Sequence, residues 1–128
     1  MNGNTNASNK KITYETQTYT YTTTGSSEYT GLSLTLKSGC VHIVSVSANH
    51  INSSPLWCAI TSSSSNLGNT VITQAGWSSN STLDYIRAEQ CMCEIDCTSA
   101  SQTVYVWAKY SGATSNTITA RIISIPID

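Results

Sequence analysis

Apolar and polar residues alternate in step along much of this chain, and no stretch repeats with a helical period. Leu32, Leu34 and Leu36 are separated by Ser33 and Thr35, and Val104, Val106 and Ala108 by Tyr105 and Trp107. Successive side chains of a strand point to opposite faces, so this period of two predicts strands with one face in a core. The stretch GCVHIVSVSANH, Gly39 to His50, departs from that rule. Val44, Val46 and Ala48 fill one parity, yet Val41 and Ile43 begin the other before it gives way to Ser45 and Ser47. The first parity is predicted to face the core. The second is apolar only at its beginning, and a neighbouring subunit would need to cover only that part.

Clusters of turn formers divide the chain at Gly25-Ser26-Ser27, Lys37-Ser38-Gly39, Asn52 to Pro55, Ser62 to Asn69, Gly76 to Asn80 and Ser111-Gly112-Ala113. Between them lie strand candidates: a Thr/Tyr run from Ile12, the Leu32–Leu36 alternation, the Gly39–His50 stretch, Leu56–Thr61, Thr70–Gln74, Leu83–Ile95, Thr103–Tyr110 and Thr117–Ile127. A short helix over Leu83–Gln90 is an alternative for one of them. Many short strands at regular spacing predict an all-β fold, an antiparallel two-sheet β-sandwich or jelly roll of about eight strands. Residues 1–11 are polar and featureless and read as a flexible N-terminal arm, with residues 12–128 as a single domain.

Composition sharpens this picture. Ser and Thr make up roughly a third of the 128 residues, well above ordinary usage. Only 10% of residues are charged, but seven Tyr, three Trp and many Val, Ile and Thr suit a pleated, half-buried surface rather than a disordered coil. A formal net charge of -1 gives no electrostatic footprint for nucleic acid or an anionic membrane. No apolar run reaches the roughly 18 residues that span a bilayer. The opening MNGNTNASNKK lacks the apolar stretch of a secretory signal, which predicts synthesis in a cytosol.

Candidate chemistry is sparse. Cys91, Cys93 and Cys97 form one dense group, and a thiolate zinc site with His42 or His50 as fourth ligand is conceivable. The spacing C-x-C-x3-C lacks a second cysteine pair, so the preferred reading is thiols packed in or beside a strand, with Cys97 just past its end. Five cysteines cannot all pair within one chain, and without a signal peptide reduced thiols are expected. Glu94 and Asp96 share a parity and read as a solvated strand edge. Seven acids, two histidines and the absence of a nucleophile elbow, a phosphate-cradling loop or an H-E-x-x-H motif predict no catalytic residue and no cofactor. Tyr105, Trp107 and Lys109 share a face, and that face fits either a subunit interface or a stacking surface for sugars. Trp57 and Trp77 flank the Ser-rich loop and carry the same two readings, so Trp57, Trp77 and Trp107 are the candidate glycan platforms.

The segment LSLTLKSGCVHIVSVSA, Leu32 to Ala48, resembles the "apolar strand, Gly turn, G-x-Y-x-[VF]-S" region of jelly rolls like tumour necrosis factor and the complement globular heads. The closing QTVYVWAKYSGATSNTITARIISI, Gln102 to Ile125, is similar to the final hairpin of that family. Cys40-Val41 stands where the family carries Tyr after the Gly, and no collagen repeat or coiled-coil stalk precedes the domain. The resemblance implies a compact homotrimer of the kind found in bacteriophage fibre, tail and capsid-decoration proteins. It implies a virion protein made in the bacterial host cytoplasm, acting by assembly and surface presentation. Its expected partners are copies of itself, other virion proteins held through the N-terminal arm, and a host-surface glycan in the adhesive variant of the reading. The subunit interface is expected at Val41, Ile43, Tyr105 and Trp107, with the Ser-rich loops displayed outward.

Overall fold

A computed structural model describes residues 10–76 and 89–127 of the chain. Eight strands appear among the described residues: β1 (Thr13–Thr22), β2 (Glu28–Leu36), β3 (Cys40–Ala48), β4 (Pro55–Thr61), β5 (Val71–Gly76), β6 (Glu89–Cys97), β7 (Gln102–Tyr110) and β8 (Ser115–Pro126). They form two four-stranded sheets, ordered β1-β8-β3-β6 and β2-β7-β4-β5, with every pair antiparallel. Apart from the β4–β5 hairpin, each strand crosses to the opposite sheet from its predecessor. That is the jelly-roll arrangement of a β-sandwich. The strand spans agree with the sequence pattern to within a few residues, and Glu89 and Gln90 are strand rather than helix. Cys97 is the last residue of β6, so it lies within the strand and not beyond it. Residues 83–88 and most of the N-terminal arm fall outside the described region.

The core sits between the sheets where the alternation places it. Leu32, Leu34 and Leu36 of β2 meet Val44, Val46 and Ala48 of β3, Val104, Val106 and Ala108 of β7, and Ile118, Ala120 and Ile122 of β8. Burying one such aliphatic side chain is worth about 1.5–3 kcal/mol, and this repeated term offsets the ordering of a chain so rich in Ser and Thr. β2 bulges between Tyr29 and Ser33, and Gly31 takes φ +96 within that bulge. A side chain at Gly31 would strike the Tyr19 hydroxyl, so glycine here lets β1 lie against β2.

One end of the sandwich is tied by polar side chains. The Asn116 amide nitrogen donates to Ser53 Oγ at 2.8 Å and Thr114 Oγ1 at 2.9 Å. Its oxygen accepts from the backbone N–H groups of Asn52 and Ser53 at 3.1 and 3.2 Å. Tyr110 crosses the core and donates its hydroxyl to the carbonyl of Asn49 or Thr117, each 3.0 Å away. Buried polar groups satisfied in this way fix the β3–β4 and β7–β8 loops at that end in one arrangement.

Candidate functional site

The two outer faces of the sandwich differ, and the difference separates the candidate interface residues. On the β2-β7-β4-β5 sheet, β4 is buried on both parities: Cys58 and Ile60 point into the core, while Trp57 and Ala59 point outward. Trp57, Ala59 and Trp107 form a second small cluster, with Tyr29, Tyr105, Leu67 and Val71 packed around it. The loop after β4 folds back over this face. Trp107 Nε1 donates to the Ser63 carbonyl at 2.8 Å, and Thr61 Oγ1 donates to the same oxygen at 2.8 Å. Trp57 Nε1 donates to Gln74 Oε1 at 2.8 Å. Ser63 Oγ accepts from the backbone of Ser65 and Asn66, and Thr70 Oγ1 lies within hydrogen-bond reach of the Asn66 and Leu67 carbonyls. The Ser-rich segment is thus anchored to the sheet through Ser63 and Leu67, while Ser62, Ser64, Ser65 and Asn66 stay exposed.

This arrangement revises the aromatic candidates. Trp57 is 1% exposed and Trp107 is 8% exposed. A sugar platform needs an open ring face, and these rings are covered by their own chain. Trp107 needs no second subunit for its burial either. Tyr105 is half-buried and meets Tyr29 edge-on at 5.7 Å between ring centroids. Lys109 is buried, in register with Trp57. Trp77 lies outside the described residues.

The outer face of the β1-β8-β3-β6 sheet has no such cover among the described residues. Ile43 of β3 stands in register with Ile123 of β8, which in turn pairs with Tyr14 of β1. The next outward row places Val41 beside Ile125. Tyr14 is 79% exposed and Met92 of β6 is 62% exposed, whereas Val41, Ile43, Ile123 and Ile125 are half-buried by one another. A pocket of about 170 Å³ opens here, lined by Tyr14, Ile43, Met92, Arg121 and Ile123. An apolar row of Tyr14, Ile123 and Ile43 therefore crosses β1, β8 and β3 and meets Glu94 on β6, with Met92 diagonal to Ile43 across the pocket. Val41 and Ile43 belong to the apolar stripe that this row forms with the next, and Tyr105 and Trp107 lie on the opposite face of the sandwich.

Charge frames the stripe. Lys10 and Lys11 precede β1 and line a cavity with Lys37, Gly39, Cys40 and Pro126 at one end of the sheet, and Glu94 and Asp96 stand on β6 in register with Ile43 and Val41. The Asp96 carboxyl lies below the usual carboxylate range because the Thr98 backbone N–H and hydroxyl both donate to it.

The thiols and histidines point to structure. Cys91, Cys93, Ile95 and Cys97 occupy the inner parity of β6, and Glu94 and Asp96 the outer one. His42 is buried, with Nε2 against the Lys37 carbonyl at 2.9 Å and Nδ1 against Ser124 Oγ at 2.8 Å. A carbonyl can only accept, so Nε2 carries the proton. Both ring nitrogens are thereby occupied, and neither faces a thiol. His50 is exposed beyond the end of β3. Among the described residues no group of three or more His, Cys, Asp or Glu side chains is placed to hold a metal ion.

The sequence did not mark Ile123, Ile125, Tyr14 or Met92 as interface candidates. Tyr14 sits in a Thr-rich strand, Met92 among cysteines and acids, and Ile123 and Ile125 in a run of isoleucines, and only the sheet register brings them together. No protein-family model and no curated protein matches this chain. Its structure is similar to a chain from work on Bacillus endospore appendages, described as a novel family of disulfide-linked pili. That similarity has a TM-score of 0.44 at 10% identity, covers 93% of this chain and 91% of the other, and at that level carries no argument about function.

Proposed function

We propose that this protein is a structural virion component of a bacteriophage, a capsid-decoration or fibre domain that works by assembling with copies of itself. The observation that carries the assembly reading is the apolar stripe of Tyr14, Val41, Ile43, Met92, Ile123 and Ile125 on an otherwise polar molecule. Contiguous exposed apolar patches on soluble domains mark contact surfaces. The stripe is bordered by both basic Arg121 and acidic Glu94, a mixed-charge surround that favours a second copy as the occupant. A heterologous contact makes a ring where its rotation closes, and the ring proposed here is a homotrimer. The virion assignment itself rests on the resemblance of Leu32–Ala48 and Gln102–Ile125 to jelly rolls of fibre and decoration proteins. In this reading residues 1–11 attach the domain to other virion proteins.

Sedimentation of the purified protein at micromolar concentration tests the assembly. A trimer is expected for the wild type, and a folded monomer for Val41→Asp and Ile43→Asp. A wild-type monomer sinks the proposal. Variants that unfold rather than dissociate would show that the face is covered by the chain itself. Genes for a capsid, portal or tail beside this one are expected, and a neighbourhood with none of them counts against the virion assignment.

A further inference from the structure

Two thiols meet across the sandwich. Cys58 sits on the inner face of β4 in one sheet, and Cys91 on the inner face of β6 in the other. Their sulfur atoms are 3.7 Å apart, in van der Waals contact and joined by an S–H···S hydrogen bond. Cys58 is 0% exposed and Cys91 is 6% exposed, so nothing polar separates them. All five cysteines are free thiols. A disulfide requires the sulfurs to close to about 2.05 Å, a movement of the order that rotation about χ1 delivers.

We propose that Cys58 and Cys91 are a covalent modification site, forming an inter-sheet disulfide by exchange with a small-molecule disulfide such as glutathione disulfide. This inference is independent of the assembly reading, since neither residue lies on the apolar stripe. Cys91 attacks first, when local opening of β6 exposes its buried thiol. It is the less buried of the two, and β6 is an edge strand whose only ladder partner among the described residues is β3. The Cys58 S–H hydrogen bond draws the Cys91 thiol down against the effect of its burial, whereas donating that bond and burial push the Cys58 thiol up. The Cys91 thiolate attacks one sulfur of glutathione disulfide, the S–S bond breaks, and one glutathione leaves as a thiolate that takes up a proton. Cys58 then loses its proton and attacks the Cys91 sulfur of the mixed disulfide, expelling the second glutathione. Two protein thiols are oxidised and one small disulfide is reduced to two thiols.

Geometry singles out this pair. Cys91 and Cys93 lie two residues apart on one strand, too far to bond to each other, and Cys93 stands in register with Val44. Cys40 and Cys97 are register partners on adjacent strands of one sheet, so a bond between them would join strands already held by a ladder. Only Cys58–Cys91 ties one sheet to the other. The two residues are 33 positions apart in the chain, so closing that loop removes considerable freedom from the unfolded state. Such a bond forms in an oxidising environment and stays open in a reducing cytosol.

The full-length protein is incubated with excess glutathione disulfide, alkylated under denaturing conditions, and analysed by intact mass and non-reducing peptide mapping. Loss of two alkylatable thiols, a mass lower by about 2 Da before alkylation, and a peptide pair joining Cys58 to Cys91 are expected. The oxidised form should melt on the order of 10 °C above the reduced form. In Cys58→Ser the mixed disulfide should persist on Cys91, because no second thiol displaces it, and Cys58→Ala repeats the test with a small apolar residue. No thiol loss, a stable glutathione adduct on the wild type, or a cross-link between Cys40 and Cys97 instead would each overturn the proposal. The wild-type peptide map decides the matter even if both variants fold poorly.

Discussion

Trp107 donates its indole N–H to the backbone carbonyl of Ser63 at 2.8 Å, and this bond joins β7 to the loop that follows β4. It closes the cover over one outer face of the sandwich, with Leu67 packed against the same cluster. The loop is built from turn formers that would otherwise have no reason to stay on the sheet.

Trp107→Phe keeps an aromatic ring in the cluster but removes the donor and part of the indole's volume. A loss of about 2–3 kcal/mol is expected, from the hydrogen bond, the carbonyl it leaves less well satisfied and the space left in the cluster. Protease cleavage within residues 62–69 should accelerate in the variant while global unfolding by denaturant shifts by no more than that loss. Unchanged cleavage would show that the loop is held by its own Ser63 and Thr70 hydrogen bonds alone.

Tyr21 and Tyr110 are paired edge-to-face at 6.2 Å, yet their hydroxyls have opposite situations. The Tyr110 hydroxyl reaches two carbonyls, whereas that of Tyr21 is buried without a hydrogen-bond partner among the described residues. Tyr110→Phe should cost about 1–2 kcal/mol, and Tyr21→Phe should be neutral or stabilising by up to about 1 kcal/mol. Chemical denaturation of both variants measures the contrast, and equal losses would contradict it.

Stability should fall in alkali. Burial pushes the Cys93 thiol from 9.0 up to about 11, with a smaller contribution from Cys91. Burial raises Tyr21 and Tyr110 as well. The folded state therefore holds protons that the unfolded chain releases. The stabilisation from Cys93 is fully present below about pH 9 and is lost as the pH rises through about 11. Melting temperatures measured from pH 7 to 11 should be flat at first and then decline. Cys93→Ala should remove part of that decline, and an identical decline in the variant would assign it elsewhere.

The apolar stripe gives a further expectation for position-specific disruption. Ile123 lies between Tyr14 and Ile43 in the register, so Ile123→Asp places a charge at the centre of the stripe without touching the core. Association should weaken by tenfold or more, on the scale of about 1.4 kcal/mol per decade, while the melting temperature of the monomer stays nearly unchanged. Sedimentation velocity across a dilution series reads the first quantity, and calorimetry at low concentration the second.

Much of the sandwich is legible along the chain. The Leu32–Leu36 and Val104–Ala108 alternations, and the parity of Val44, Val46 and Ala48, determine which strand faces are buried, because a pleated strand offers only two faces. The same reading shows that Val41 and Ile43 lie on the other face of β3. What covers or extends that face depends on which strands lie beside β3, and here only the tertiary structure decides. Its register sets Ile123 and Ile125 next to Ile43 and Val41, and brings in Tyr14 one strand further. The fate of Trp57 and Trp107 was equally unreadable, since it depends on a loop folding back over a sheet. So was the contact of Cys58 with Cys91, which are 33 positions apart and meet across two sheets. Local periodicity determines the orientation of each side chain relative to its own strand. The long-range pairing of strands, which no local pattern encodes, decides which of those side chains become neighbours.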